Sequence, residues 1–342
     1  MGYKNCIMNK KFAVVILNWN GEKLLKQFLP SVIENSQQAN IYVIDNASTD
    51  SSIDVLKKEF PTVKIIVNQG NYGFAKGYNE GLKSINEPYL VLVNSDIEVT
   101  PNWLPPVQEI LDNQPEVAIV QPKILDYKRK THFEYAGAAG GFIDAYGFPF
   151  CRGRIFDTIE QDNGQYNDIT DIFWASGACF FIRNEVYQQL GGFDEDYFAH
   201  QEEIDLCWRA QNIGYHIKYC GFSTVFHVGG ATLQYQSPKK TYLNFRNSLL
   251  TLYKNLPKKE KFNTIFLRLC LDGIAGIRYM LLFQPKHCFA IVRSHFAFYK
   301  RISSFKNKVS KTPKCDYYKT KSIVKLYYLQ NQKEYLKIFE TK

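Results

Sequence analysis

The 342-residue chain lacks a long hydrophobic segment. No stretch reaches the roughly 18 uncharged apolar residues that a membrane-spanning helix needs. No basic, then apolar, then small-residue pattern of a cleaved signal precedes the first strand-like segment. We therefore expect a cytoplasmic protein. Internal repeats and low-complexity linkers are also missing, and a composition of 45% hydrophobic and 22% charged residues excludes disordered and fibrous proteins.

The chain also lacks paired cysteines and the usual nucleotide-binding glycine motifs. None of its eight cysteines has the Cys-x-x-Cys spacing that binds zinc or cycles as a redox pair, so we expect reduced thiols. Neither G-x-G-x-x-G nor G-x-x-x-x-G-K-[ST] occurs, which disfavours a dinucleotide site or a P-loop. The cysteines are Cys6, Cys151, Cys179, Cys207, Cys220, Cys270, Cys288 and Cys315.

Charge divides the chain into two regions. Residues 254–342 contain 20 Lys and Arg but only 5 Asp and Glu, whereas residues 1–253 contain 22 and 28. This difference predicts two regions with different electrostatic roles, 1–253 and 254–342.

Four short apolar segments, rich in β-branched residues, alternate with helical stretches in the first hundred residues. This alternation predicts βαβ units and a mostly parallel sheet flanked by helices, hence an α/β fold. From residue 241 onward the pattern becomes helical and amphipathic. The four segments are FAVVIL (12–17), IYVI (41–44), VKIIV (63–67) and YLVLV (89–93).

Polar residues follow each of these segments, where an open parallel sheet binds its ligands. Asp96 could reach a divalent cation that bridges two phosphates, or it could form a turn. Asp45 could accept hydrogen bonds from a nucleobase or ribose, or begin the cap of the next helix. The glycines of segment 68–81 could approach a phosphate at a helix N-terminus or serve a tight turn.

An acidic cluster lies in residues 194–205, where six carboxylates alternate with aromatic and aliphatic residues. A carboxyl group among apolar neighbours has a raised pKa and can act as a general base. Glu202 and Glu203 are the candidates, whereas Asp205 and Arg209 are spaced i, i+4 and predict an ion pair. His227 follows another strand-like segment and could be structural or reach a metal.

Seven segments, in this order, resemble the family 2 glycosyltransferases with the GT-A fold, especially their bacterial rhamnosyltransferase-like members. They cover about the first 250 residues. The segments are VVILNWNG (14–21), VIDNASTD (43–50), NYGFAKGYN (71–79), VLVNSDIEV (91–99), WASGACFFIRNEVYQQLGGFDE (174–195), HQEEIDLCWR (200–209) and VFHVGG (225–230). The resemblance implies a Rossmann-like GT-A sheet, followed here by a C-terminal amphipathic helical region.

The resemblance also implies roles for individual residues. Asp45 would recognise the base of a nucleoside-diphosphate sugar, and Asn18 and Asn71 would line the same pocket. Asp96 would be the metal-binding end of the family's Asp-x-Asp motif, and His227 would reach the same metal.

The resemblance implies three further donor contacts, at two glycines and at one asparagine. Gly73 would approach the donor, and the loop ending at Gly177 would lie between donor and acceptor. Asn94 stands where the family's motif has its first Asp. Glu202 and Glu203 replace the usual Glu-Asp pair, with Glu203 at the position of the catalytic Asp.

We therefore predict an inverting transferase of bacterial surface-polysaccharide synthesis. Glu203 would deprotonate an acceptor hydroxyl, on a glycan or a lipid-linked molecule, and Mg²⁺ or Mn²⁺ would neutralise the departing diphosphate. The alternatives are a non-catalytic nucleotide-sugar-binding protein of the same fold and a sugar nucleotidyltransferase.

The basic C-terminal region has three interpretations. Nucleic-acid binding lacks a supporting motif, so we predict no nucleic-acid partner. Contact with the anionic inner face of the membrane explains both the apolar helix faces and the excess of cations. A helical cap that packs on the catalytic domain is the third interpretation.

Overall fold

A computed structural model describes residues 10–229, 237–314 and 316–340. Cys6, Gly230 and Cys315, which belong to the sequence predictions above, lie outside the described residues. The six cysteines within the described residues are free thiols, as expected.

The chain folds into thirteen strands and ten α-helices within the described ranges. The strands are β1 (Phe12–Asn18), β2 (Ala39–Asp45), β3 (Lys64–Val67), β4 (Tyr89–Asn94), β5 (Ile97–Val99), β6 (Val117–Asp126), β7 (Gly141–Ile143), β8 (Pro149–Cys151), β9 (Arg154–Ile155), β10 (Thr158–Ile159), β11 (Ile169–Asp171), β12 (Cys179–Arg183) and β13 (His216–His227). The helices are α1 (Glu22–Asn35), α2 (Ser52–Glu59), α3 (Gly73–Leu82), α4 (Pro105–Asn113), α5 (Asn184–Gln189), α6 (Glu202–Asn212), α7 (Pro238–Asn255), α8 (Lys258–Leu281), α9 (Pro285–Phe305) and α10 (Tyr335–Phe339). Short 3₁₀ turns lie at Glu195–Tyr197 and Lys306–Lys308, and a π-helical turn lies at Lys325–Leu329.

The central sheet has nine strands in the order β11-β13-β6-β12-β4-β1-β2-β3, with β5 paired to β13. The first four strands are parallel to one another, as the four apolar segments predict. The other half of the sheet is mixed, because β12 lies antiparallel between β4 and β6 while β13 is parallel to β6. A second, antiparallel sheet contains β7 to β10.

Helices cover both faces of the central sheet. On β1, Phe12, Val14 and Ile16 belong to a core that also contains apolar residues of α1 and α4. Ala13 and Val15 point to the opposite face and belong to a core with residues of α3 and α6. The continuous apolar sequence of β1 thus follows from burial on both faces.

Helix α4 has a weak sequence signal, since the pattern predicts little helix between residue 100 and α5. It begins at Pro105 and Pro106, in the first turn, where the backbone N–H that proline lacks would have no helical partner. Proline interrupts a helix when it lies in the interior, but these two prolines lie in the first turn and are compatible with the start of α4.

The C-terminal region is helical, as expected, and packs on the preceding domain. The expected boundary between residues 253 and 254 falls inside α7. The chain beyond α9 returns to the sheets, where Tyr317, Ile323 and Tyr335 are buried in the same core as α3 and α6. Within the described residues, no helix has the length and hydrophobicity required to cross a bilayer.

Candidate active site

A buried polar pair lies at the ends of β1 and β2. Asn18 and Asp45 are neighbours in the parallel register, and the Asn18 amide donates a hydrogen bond of 3.0 Å to Asp45 Oδ2. The backbone N–H and the hydroxyl of Ser48 also donate to this carboxylate, at 2.8 and 2.6 Å. Asp45 is fully buried, and these hydrogen bonds fix the turn before α2. Its contact with a nucleobase stays a prediction.

The glycine-rich segment meets the loop that precedes α6. Gly73 begins α3 with a φ of +74°, and Asn71 Oδ1 accepts a hydrogen bond of 3.1 Å from its N–H. A β-carbon at residue 73 would lie 3.2 Å from the ring of Phe198. Both the positive φ and this close approach require glycine.

Asp96, His227 and Glu134 form a buried cluster. Pairing of β13 with β5 brings His227 Nε2 to 3.2 Å from Asp96 Oδ1, and Glu134 Oε1 lies 3.4 Å from Nδ1 on the other side of the ring. Burial lowers the pKa of His227, but the adjacent carboxylates of Asp96 and Glu134 outweigh that effect and raise the pKa to about 10. The structure therefore brings together Asp96 and His227, which are 131 positions apart in the sequence.

Once His227 Nε2 gives up its proton, this cluster offers two ligands to a divalent cation, the Asp96 carboxylate and the His227 imidazole. No set of three or more His, Cys, Asp or Glu side chains that could hold a metal occurs within the described residues. The 3.2 Å separation of Asp96 Oδ1 and His227 Nε2 is close to the roughly 3 Å between adjacent ligands of an octahedral ion with bonds of about 2.1 Å. The two side chains fit a cation that takes its other ligands from a bound diphosphate and water.

Glu202 and Glu203 occupy the first turn of α6. Oε2 of each is enclosed by protein and has no hydrogen-bond partner, although Glu203 as a whole is partly accessible. Burial raises the pKa of Glu203 to about 7. Burial and the charge of Glu203 raise the pKa of Glu202 well above its ordinary value. At neutral pH, Glu203 can therefore accept a proton.

Gly177 connects this carboxylate to the end of β4. A β-carbon at Gly177 would lie 3.8 Å from Cβ and Cδ of Glu203. The next residue, Ala178, accepts a hydrogen bond of 2.9 Å from the N–H of Asn94, two residues before Asp96. The structure thus places Asn94, Gly177 and Glu203 in one neighbourhood.

The loop before α6 has an unusual backbone. Phe198, His200 and Gln201 all have positive φ, at 67°, 69° and 75°. Such conformations are costly for residues other than glycine and persist only where the surroundings enforce them. The loop therefore depends on contacts from outside its own sequence.

Those contacts come from α7. The buried Asn247 amide donates to the carbonyls of Tyr197, Ala199 and His200, at 3.1, 2.9 and 2.7 Å. Arg246 donates to the carbonyl of Tyr197 at 2.9 Å. Helix α7 thereby fixes the backbone immediately before Glu202 and Glu203.

A second set of α7 contacts reaches the aspartates of the acidic cluster. Buried Lys254 pairs with Asp194 and Asp205, both at 2.8 Å, and Asn255 donates to Asp205 at 2.9 Å. Arg209 pairs with Asp205 at 2.7 Å, which confirms the predicted i, i+4 ion pair. Burial raises the pKa of Asp205, but Lys254 and Arg209 outweigh it and lower the pKa to about 2.

Sequence reasoning missed Glu134 and the polar residues of α7. Glu134 lies in a segment without a motif, and only backbone pairing of that segment with β6 brings it to His227. The α7 residues did have a signal, because Asn247, Thr251 and Lys254 recur at helical spacing beside the apolar residues of this helix. A buried polar stripe of this kind requires partners elsewhere in the fold.

Comparison with known proteins supports the resemblance. The family profile described as "Glycosyl transferase family 2" matches residues 13–191. The hexosyltransferase Agl10 of low-salt glycan biosynthesis from Haloferax volcanii is 23% identical over 80% of this chain and 85% of its own length. An N-acetylglucosaminyl-diphospho-decaprenol L-rhamnosyltransferase from Mycobacterium tuberculosis is 22% identical over 64% of this chain and 76% of its own length.

Solved glycosyltransferase structures share the fold. One is a mannosyltransferase from Pyrobaculum calidifontis in complex with GDP-Man and Mn²⁺. It matches with a TM-score of 0.52 and 13% identity, over 86% of this chain and 88% of that one. These likenesses confirm the predicted GT-A fold with its additional C-terminal helices.

Proposed function

The chain belongs to glycosyl transferase family 2, and on that premise we propose that it moves a sugar from a nucleoside-diphosphate sugar to a hydroxyl group, with inversion at the anomeric carbon. The acceptor is a glycan or a lipid-linked molecule of polysaccharide synthesis. Relatives named as hexosyl- and rhamnosyltransferases support a hexose or deoxyhexose as the transferred sugar.

Glu203 is the observation that carries this proposal. Its carboxyl group has an enclosed oxygen without a partner, a pKa of about 7 and a glycine beside it. A base with a pKa near the working pH is the best proton acceptor for a hydroxyl nucleophile. A small residue at position 177 leaves space for the reacting groups next to this carboxylate.

The reaction is a single displacement. Glu203 accepts the proton of the acceptor hydroxyl. At the same time the hydroxyl oxygen bonds to the anomeric carbon, and the bond from that carbon to the nucleoside diphosphate breaks. Asp96 and His227 would hold a divalent cation. Bound there, Mg²⁺ or Mn²⁺ would supply positive charge to the departing diphosphate. Gly73 and Asn71 would approach the donor, with Asn18 and Asp45 supporting the base pocket.

Product analysis tests the reaction. The purified protein is incubated with UDP-, GDP- and dTDP-sugars and Mn²⁺, with water as the acceptor. We expect slow release of nucleoside diphosphate and free sugar from one donor, with inverted configuration by NMR. Formation of nucleoside triphosphate and sugar 1-phosphate in a parallel reaction with added pyrophosphate would instead identify a nucleotidyltransferase, and tight donor binding without any product would identify a binding protein.

Metal binding has a separate test that does not depend on turnover. We expect Asp96→Ala to weaken Mn²⁺ binding in the presence of nucleoside diphosphate about tenfold or more, measured by electron paramagnetic resonance of free Mn²⁺. Asp54→Ala removes an exposed carboxylate on α2 and serves as the matched control. Equal Mn²⁺ affinity in the two variants would contradict the assignment of Asp96.

A further inference from the structure

The outer face of the helical hairpin α8–α9 is apolar and exposed. It consists of Phe262, Phe266, Ile277 and Leu281 on α8 and Phe289 and Phe296 on α9. Each of these six side chains is more than half exposed. Their spacings of four and eleven residues on α8, and of seven on α9, place them along one stripe of each helix.

The opposite face of α8 points into the protein and combines apolar and charged residues. Ile265 packs against the core, whereas Arg268 and Asp272 are buried and form an ion pair of 2.7 Å. Arg268 also donates to the carbonyl of Tyr146 at 3.0 Å, and His295 of α9 lies 3.3 Å from Asp272. A surface helix in water usually buries its apolar residues and exposes its charged ones. Because α8 buries an ion pair and exposes four large apolar side chains, its outside is suited to an apolar environment.

The turn between the two helices continues the apolar surface. Leu281, Leu282 and Phe283 are 74%, 51% and 93% exposed, and Phe283 has a φ of +55°. Positive φ is uncommon for a bulky residue. The turn joins α8 to α9 and exposes the ring of Phe283 almost completely. We call this turn, residues 281–283, the tip of the hairpin.

A basic cleft adjoins the outer face. The cations of Lys239, Lys286 and Arg293, together with the ring of Tyr242, line a cavity of about 570 Å³ between α7 and α9. Phe289 lines the same cavity and also belongs to the outer face. Positive charge thus lies directly beside exposed aromatic rings, a combination that matches lipid phosphates above acyl chains.

We propose that the outer face and the tip of the hairpin dock on an anionic lipid bilayer. The apolar side chains lie among the upper acyl chains, and Lys239, Lys286 and Arg293 lie at the level of the lipid phosphates. The cleft favours lipid over a second copy of this chain, because α7 and α9 contain no carboxylate that could pair with these three cations, and Asp272 of α8 is already paired with Arg268. This inference does not depend on the proposed reaction.

Vesicle co-flotation of the purified full chain tests the docking surface. We expect the wild-type protein to float with vesicles of phosphatidylcholine containing 30 mol% phosphatidylglycerol, and to bind pure phosphatidylcholine about tenfold more weakly. The triple variant Phe266→Ser, Ile277→Ser and Phe283→Ser should bind the anionic vesicles at least about tenfold more weakly. Lys286→Gln with Arg293→Gln should weaken binding several-fold and reduce its dependence on salt.

Phe222→Ser is the matched control, because Phe222 is also 60% exposed but lies on β13. It should float like the wild type. All variants should keep the wild-type unfolding midpoint and donor hydrolysis, which separates failure of docking from failure of the proposed reaction. Equal flotation of the triple variant and the wild type would overturn the proposal. A wild-type dimer that does not float and becomes monomeric in the triple variant would instead assign this face to a second copy.

Discussion

The carboxylates of residues 194–205 form two sets with opposite environments. Asp194 and Asp205 are buried against Lys254, and each has a second cation, Lys308 for Asp194 and Arg209 for Asp205. Glu202 and Glu203, although they lie between those aspartates in the sequence, each have an enclosed oxygen without a partner. Paired carboxylates stabilise the fold and stay ionised, whereas unpaired enclosed ones bind protons and can do chemistry.

The pKa directions express the same contrast. Cations lower the pKa of Asp205 to about 2, and burial raises the pKa of Glu203 to about 7. The two groups are separated by one residue on α6 and face different neighbours. By composition alone, all the carboxylates of the acidic cluster are expected to have similar pKa values. The contacts with α7 make those values differ.

Removal of the unpaired base should have the largest effect. Glu203→Gln keeps the shape of the side chain but cannot accept a proton, so we expect turnover to fall by about 10² to 10⁴. The measurement is steady-state transfer or donor hydrolysis, with the unfolding midpoint as a check on folding. Glu185→Gln changes an exposed carboxylate on α5 and should leave turnover unchanged. Full activity in Glu203→Gln would remove this residue from the mechanism.

Removal of the shared cation should mainly affect stability. Lys254→Met removes the common partner of Asp194 and Asp205, which keep Lys308 and Arg209, and we expect the free energy of unfolding to fall by about 1 to 3 kcal/mol. Urea denaturation followed by circular dichroism gives this value. Lys83→Met, which removes an exposed i, i+3 pair with Glu80, should change it by less than about 0.5 kcal/mol. A similar loss of unfolding free energy in both variants would contradict the expectation that the buried ion pairs contribute more to stability than the exposed one.

A change of pH should separate the two sets. The rate of transfer depends on ionised Glu203, so the pH profile of kcat/KM should rise about tenfold per pH unit below 7 and level off above it. A profile that is flat between pH 5.5 and 7.5 at constant donor affinity would exclude Glu203 as the base.

The stability effects have opposite signs. The folded pKa of Glu203 lies above its ordinary 4.5, so its contribution to stability is present below pH 4.5 and is lost as pH rises through 7. Asp205, with a folded pKa below its ordinary 3.8, contributes above pH 3.8 and loses that contribution as pH falls towards 2. Relative to Glu203→Gln, the wild type should lose about 1 to 3 kcal/mol between pH 4.5 and 7.5. Parallel stability curves would contradict this assignment.

Local sequence chemistry predicted much of the catalytic half. The four apolar segments became β1 to β4, and the strand ends carry Asn18, Asp45 and Asn94 as expected. The i, i+4 spacing also predicted the pair of Asp205 with Arg209. These features depend on periodicity and neighbouring residues, which a sequence displays directly.

The sequence by itself determined the alternation of strands and helices, the family and the excess positive charge of the C-terminal region, since each is a property of residue order or composition. Tertiary structure decided which carboxylates are paired, that Glu134 meets His227, and that α8 buries an ion pair while it exposes large apolar side chains. Burial and electrostatic pairing arise between residues far apart in the chain, so an isolated segment carries no record of the partner that it will meet.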